Sequence, residues 1–178
     1  RAAYRIHSCI KNCEDYSEIN SSMKVINKYS SDPTVSYLRN KSILWKRIQP
    51  RISKFLKRNI ISNNKSAHNI AFPSTGLLKQ FSNKNQNSSQ IIHLHWLGDN
   101  TLSIEEIGKL KYPIFWTLHD QWPFCGAEHY THPPINNNGI FINDFRYRNN
   151  YSRESRNYSL EKGFDINRWT WERKKKSW

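Results

Sequence analysis

The sequence predicts an α/β protein built on a parallel sheet. Three observations carry this. First, residues 90–118 read strand, loop, helix, strand in close succession. That is the pattern of a βαβ crossover, and a crossover makes its two strands parallel. Second, the helix in that unit marks its own start, because Ser103-Ile-Glu-Glu106 has the S-x-x-E spacing of a capping box. Third, further helical patterns stand on both sides of the unit, as flanking helices require.

Along the chain, Ala2, Ala3, Ile6, Cys9 and Ile10 recur at helical spacing and predict an amphipathic helix over 1–13. Met23–Tyr29 predicts a short strand with Val25 and Ile26 apolar. Ser30–Pro33 predicts a turn, since Pro33 disfavours helix at Asp32. Over Ile43–Ile61, Leu44, Ile48, Ile52, Phe55 and Leu56 form one apolar stripe. Lys46, Arg47, Arg51, Lys54, Lys57 and Arg58 form the opposite face. This is a basic amphipathic helix. It reads either as a surface helix packed by its stripe or as one that lies on a membrane surface or acceptor.

Residues 62–90, rich in Asn, Ser and Lys, read as irregular. Gln90–Trp96 is a strand, a helix runs from Ser103 to about Leu110, and Pro113–Leu118 is a second strand. A long irregular loop is expected over about 125–163. Asp165 then suits the N-cap of a last helix, and Lys174–Lys176 suit its C-terminal dipole.

The chain has 178 residues, a length suited to one domain with one core. Seven Trp, nine Tyr and eight Phe supply enough to bury. The apolar runs are too short to span a bilayer, and no signal-peptide pattern opens the chain. The net charge of +14 predicts attraction to polyanions: nucleic acid, an anionic membrane surface or phosphate-bearing substrates. No disulfide framework or zinc motif follows from three cysteines with no C-x-x-C pair, and a reducing, cytoplasmic setting is the simplest inference. The chain opens at Arg1 with no Met, directly on a helical pattern, so a natural start and a preceding element are expected to be missing.

Two clusters carry chemistry, and both lie at strand C-termini. In Ile91-Ile-His-Leu-His-Trp96, His93 and His95 share one strand face. In Trp116-Thr-Leu-His-Asp-Gln-Trp-Pro-Phe124, His119 and Asp120 follow the strand directly. Ligands of open parallel sheets bind beyond the carboxyl ends of strands. His95, Trp96, Gly98, Asp99, His119 and Asp120 are therefore expected to converge on one crevice, with His129 and His132 on the loop beyond. A His-x-His pair can hold metal, but no spacing here completes a site. A histidine oriented by a neighbour such as Asp120 can instead act as a general base or hydroxyl contact. His93 reads as a half-buried strand residue, and His119 reads as functional.

Taken together, His93-Leu-His-Trp96, Leu102-Ser-Ile-Glu-Glu106 and Pro113-Ile-Phe-Trp-Thr-Leu-His-Asp-Gln-Trp-Pro-Phe124 resemble the N-terminal domain of bacterial family 4 glycosyltransferases. These are the enzymes of exopolysaccharide, colanic-acid and O-antigen synthesis. Arg1-Ala-Ala-Tyr-Arg-Ile-His7 resembles the helix after the family's first glycine-rich loop. The closing segment from Gly163 to Trp178 resembles the one after its long loop. The resemblance implies a Rossmann-like sheet over 1–178, the N-terminal half of a GT-B fold, with the first strand and the donor-binding C-terminal domain absent. It implies a retaining transferase with no metal and no tightly bound cofactor, taking a UDP- or GDP-sugar as donor and a glycan or lipid-linked acceptor. By the same resemblance His119 and Asp120 are catalytic. His95, Trp96, Gly98, Asp99, Trp122, His129 and Tyr130 bind substrate. The implied setting is cytoplasmic, peripheral on the inner membrane, and the isolated fragment is expected to be inactive and marginally stable.

Two other classes compete. A basic nucleic-acid-binding module would use Tyr147, Tyr151 and Tyr158 interleaved with Arg146, Arg148, Arg153 and Arg156, but no recognised RNA-binding motif is present. A metal-dependent hydrolase stands third.

Overall fold

The structure is a computed structural model that describes residues 2–38, 43–59, 69–81, 90–97, 101–130, 146–156 and 162–178. Its class is mixed α/β: among the described residues, helices accompany two separate two-stranded sheets, both parallel. The chain divides into two compact units, Arg1–Lys41 and Ser42–Trp178.

In the first unit the expected helix is α1, Ala2–Asn12. The expected strand is shorter than its apolar run, since β1 covers only Met23–Val25. It pairs in parallel with β2, Val35–Tyr37, in the register Met23↔Val35 to Val25↔Tyr37. Three residues are too few for period-2 alternation to register in the sequence, so β2 was not expected. The turn between them is built on Asp32, whose carboxylate accepts from the Thr34 amide at 2.9 Å and the Thr34 hydroxyl at 2.5 Å. The Thr34 hydroxyl and amide together hold that carboxyl well below the usual carboxylate range.

His7 is the buried polar residue of α1. Its Nε2 lies 2.9 Å from Thr34 Oγ1 and its Nδ1 2.8 Å from Ser21 Oγ. The Thr34 hydrogen is already given to Asp32, so Thr34 accepts from His7 Nε2–H. Nδ1 is then left to accept from the Ser21 hydroxyl. His7→Leu removes one partner from each hydroxyl and is expected to cost this unit about 1–2 kcal/mol. Faster hydrogen exchange at the α1 amides is the readout.

In the second unit α2 spans Ile43–Asn59 and carries Pro50 in its interior, where one backbone hydrogen bond is lost. Ile48, Ile52 and Leu56 are half-buried as expected, and Leu56 packs on a core of Ile70, Ala127 and Ile166. Phe55 departs from the expected stripe and is 63% exposed. It sits one residue, about 100° of helix rotation, from Leu56.

β3, Ile92–His95, and β4, Ile114–Thr117, form the expected parallel pair, with Ile92↔Ile114 and His95↔Thr117 in register. Between them lies α3, Ile104–Ile107, with both halves of the capping box formed. Ser103 Oγ accepts from the Glu106 amide at 3.2 Å, and Glu106 Oε2 accepts from the Ser103 amide at 2.9 Å. α3 stops short of the expected Leu110. Gly108 abuts the backbone of Ser177 with no room for a side chain, and the chain turns there.

The last helix, α4, spans Ile166–Ser177. Asp165 caps it, accepting from the Arg168 amide at 3.0 Å. Asp165 is also gripped by Arg146, at 3.2 and 2.8 Å. Arg173 ties α4 to α3 through Glu105, at 2.7 and 2.8 Å, and reaches the Ile70 carbonyl at 2.7 Å. Within the long expected loop, Arg146–Asn149 forms a 3-10 turn and Cys125–Glu128 is buried. Residues 131–145 and 157–161, with His132 and Tyr158, lie outside the described residues, as do 62–68 and 82–89. No described helix is long and apolar enough to cross a membrane.

Candidate functional site

The site begins at the ends of β3 and β4. Leu94 turns inward and is buried, so His93 and His95 point to the opposite face. Across the ladder, Phe115, Thr117 and His119 follow on that same face. His93 Nε2 lies 2.7 Å from Thr117 Oγ1, and the His93 ring meets Phe115 edge-on at 4.9 Å. The His93 and His95 rings lie 4.1 Å apart. His95 Nδ1 lies 3.1 Å from His119 Nε2. His93, expected to be half-buried, is exposed, and partial desolvation of its ring lowers its pKa from the ordinary histidine value. Burial and then the neighbouring His93 and His119 do the same for His95.

Asp120 was expected to orient His119, and it does not. Its Oδ2 lies 2.5 Å from His129 Nδ1, and its Oδ1 accepts from the Trp122 amide at 3.0 Å. The reason is local. The amide bond two residues on folds the carboxylate over its own loop. The Gln121 amide donates to the His129 carbonyl at 2.9 Å, which draws His129 alongside. The result is two dyads, His95–His119 and Asp120–His129.

A narrow crevice runs between them, lined by Trp96, Leu97, Trp116, Thr117, His119, Asp120, Trp122, Pro123 and His129. Trp96 is 53% exposed, with its ring 6.5 Å from His129, and Tyr130 is 61% exposed, with its ring also 6.5 Å from His129. Trp122 lines the crevice from beneath, 2% exposed, with its indole N–H donated to the Asn69 carbonyl at 2.6 Å. Five of the nine expected site residues, Trp96, His119, Asp120, Trp122 and His129, thus line the crevice; His95 contacts His119, and Tyr130 stands beside His129. Gly98 and Asp99 lie outside the described residues. A wider open depression of about 440 Å³ lies on α1, beside Tyr4, Cys9 and Cys13. It brings no acid, base or ring cluster together, so the chemistry points to the crevice. Among the described residues no group of three or more His, Cys, Asp or Glu is placed to hold a metal ion.

Lys174, Tyr151 and Glu128 support this loop, a role that the sequence did not indicate. Lys174 is buried, and its ammonium donates to the carbonyls of Trp122, Cys125 (2.9 Å) and Gly126 (2.6 Å), with the Trp122 ring 3.9 Å away. Burial pushes its pKa down to about 7. Three acceptors and an aromatic face, by contrast, match the three N–H bonds of the charged form. Tyr151 donates its hydroxyl hydrogen to Glu128 and accepts from the Gly126 amide. Burial, and then the charge of Glu128, push the Cys125 thiol up to about 12, so it is no nucleophile. Lys174 had a legible signal: Ile166, Thr170 and Lys174 recur every four residues on one buried stripe. It is masked by the neighbouring Lys175 and Lys176, which make the whole run look solvated. Lys174→Met leaves three carbonyls short of a donor, and a loss of about 2 kcal/mol is expected. Exchange protection of the Phe124 and Cys125 amides should fall with it.

No family model, curated protein or solved structure matches this chain.

Proposed function

We propose that this chain is the acceptor-side part of a retaining, sugar-nucleotide-dependent glycosyltransferase, with β3–α3–β4 belonging to a Rossmann-like sheet. The observation that carries the reading is the composition of the crevice. A histidine stands just past the end of a parallel strand, an Asp–His pair lies beside it, and exposed Trp and Tyr rings flank both. Imidazole and carboxylate recognise hydroxyls, and aromatic rings take the apolar face of a sugar ring. The resemblance of the Thr117–Phe124 string to family 4 enzymes adds to this. In this reading His119 meets the reacting hydroxyl, and Asp120 with His129 orients the sugar. A UDP- or GDP-sugar is the donor and a glycan or lipid-linked sugar the acceptor. The exposed Arg47, Arg51, Lys54 and Arg58 of α2 favour docking at an anionic, cytoplasmic membrane face.

The test is an NMR titration of the labelled chain with methyl hexopyranosides at low and high salt. Shifts centred on Trp96, His119, His129 and Tyr130 that persist at high salt are expected. Tight binding of a single-stranded oligonucleotide that collapses with salt, and no response to sugar, would move the chain to the nucleic-acid class.

A further inference from the structure

We infer that His95 is a positioning residue that holds His119 as the Nε2–H tautomer, so that His119 presents the Nδ1 lone pair to substrate. The inference deepens the functional reading above and rests on it for the word substrate, but its geometry does not. His119 is the diagonal neighbour of His95 across the parallel ladder, two residues past Thr117. That offset sets His95 Nδ1 and His119 Nε2 3.1 Å apart, with ring planes tilted by 37°.

Two ring nitrogens at that distance share one hydrogen, so one must donate and the other accept. If His95 donated, both rings would have to be Nδ1–H tautomers. If His119 donates, both are Nε2–H tautomers, the form that neutral histidine prefers intrinsically. The second arrangement sets both rings in their better state, and the hydrogen bond at one nitrogen fixes what the other offers. His119 Nδ1 has no protein partner among the described residues, and its ring is exposed. It is the one ring nitrogen of this pair of contacts left to face a hydroxyl as acceptor.

The other contacts on His95 serve the same end. His93 packs against its ring at 4.1 Å and is itself anchored to Thr117. This limits rotation of His95 about its side-chain bonds. Asp120, the residue that would otherwise set the tautomer of His119, is occupied with His129 and the Trp122 amide.

The experiment is long-range ¹H–¹⁵N correlation of the histidine rings in the full chain at a pH where both are neutral. Wild type is compared with His95→Phe, which keeps a ring but no acceptor, and His95→Asn, whose amide oxygen can still accept. His119 is expected to show a protonated Nε2 and an unprotonated Nδ1 in wild type. In His95→Phe its two ring nitrogens should move toward the averaged shifts of a tautomer mixture, and His95→Asn should retain most of the wild-type pattern. An Nδ1–H pattern for His119 in wild type, or a His95→Phe spectrum of His119 identical to wild type, would overturn the inference. The wild-type spectrum decides the tautomer even if a variant unfolds. No sugar is present, so failure of the glycosyltransferase reading would leave this result standing, and failure here would leave the sugar titration standing.

Discussion

His119→Ala is expected to lower glycosyl transfer by roughly 10²–10⁴-fold in the catalytically competent enzyme that carries this segment, the usual size of a general acid–base contribution. The ring is exposed at the end of β4 and its hydrogen bond runs to His95 on the same sheet face, so the melting curve should move little. That combination separates chemistry from folding. Steady-state kinetics should show the loss mainly in kcat, because a contact to the reacting hydroxyl strengthens in the transition state. Asp120→Asn should be milder, since it weakens the hold on His129 and leaves His119 in place. An unchanged rate in His119→Ala would remove His119 from the chemistry and would leave the sugar-binding part of the proposal to stand alone.

Glu106→Ala is expected to be the most destabilising single change in the larger unit, at about 3–5 kcal/mol. Glu106 is buried and does more than close its capping box. Its carboxylate accepts from the Ser103 amide, from the Thr75 amide and hydroxyl at 2.9 Å, and from the Leu77 amide at 3.2 Å. Truncation leaves three buried amides without that acceptor, against a total stability of typically 5–15 kcal/mol for a domain. Urea unfolding followed by tryptophan fluorescence reads this unit directly, because every tryptophan of the chain lies in it.

The same residue sets a pH dependence. Burial alone would raise the Glu106 pKa, but the bonds from Ser103 and Thr75 outweigh it and lower the value from 4.5. A carboxyl with a lowered folded pKa contributes stability that is complete above its unfolded value and is lost as pH falls through the folded one. Stability should therefore decline below about pH 4.5. Glu105 and Asp165 act in the same direction: burial raises each, but Arg173 outweighs it for Glu105 and Arg146 for Asp165. Glu106→Gln should start lower and show a shallower decline.

Much of this arrangement was legible in local sequence. The parallel pair β3–β4 followed from two apolar runs with a capped helix between them. The Ser103–Glu106 box and the Asp165 cap followed from residue type and spacing alone, because their bonds span only three residues. The position of His119 and Asp120 just past β4 followed from the end of an apolar run. Phe55 and the length of α3 were misjudged. A helical stripe does not say how wide the covering surface is, and the backbone that meets Gly108 comes from Ser177.

The sequence by itself determined which residues stand at the strand ends, because strand direction and period-2 alternation are local properties. Only the tertiary structure decided how those residues pair. Asp120 turns to His129 because the Trp122 amide holds its carboxylate and the Gln121 amide draws the His129 backbone alongside, and His95 meets His119 because of a parallel register. Lys174 serves the site loop from about fifty residues away, since three carbonyls form its socket. Distances of that kind exist only once the chain has closed on itself, and no local pattern of residue types records them.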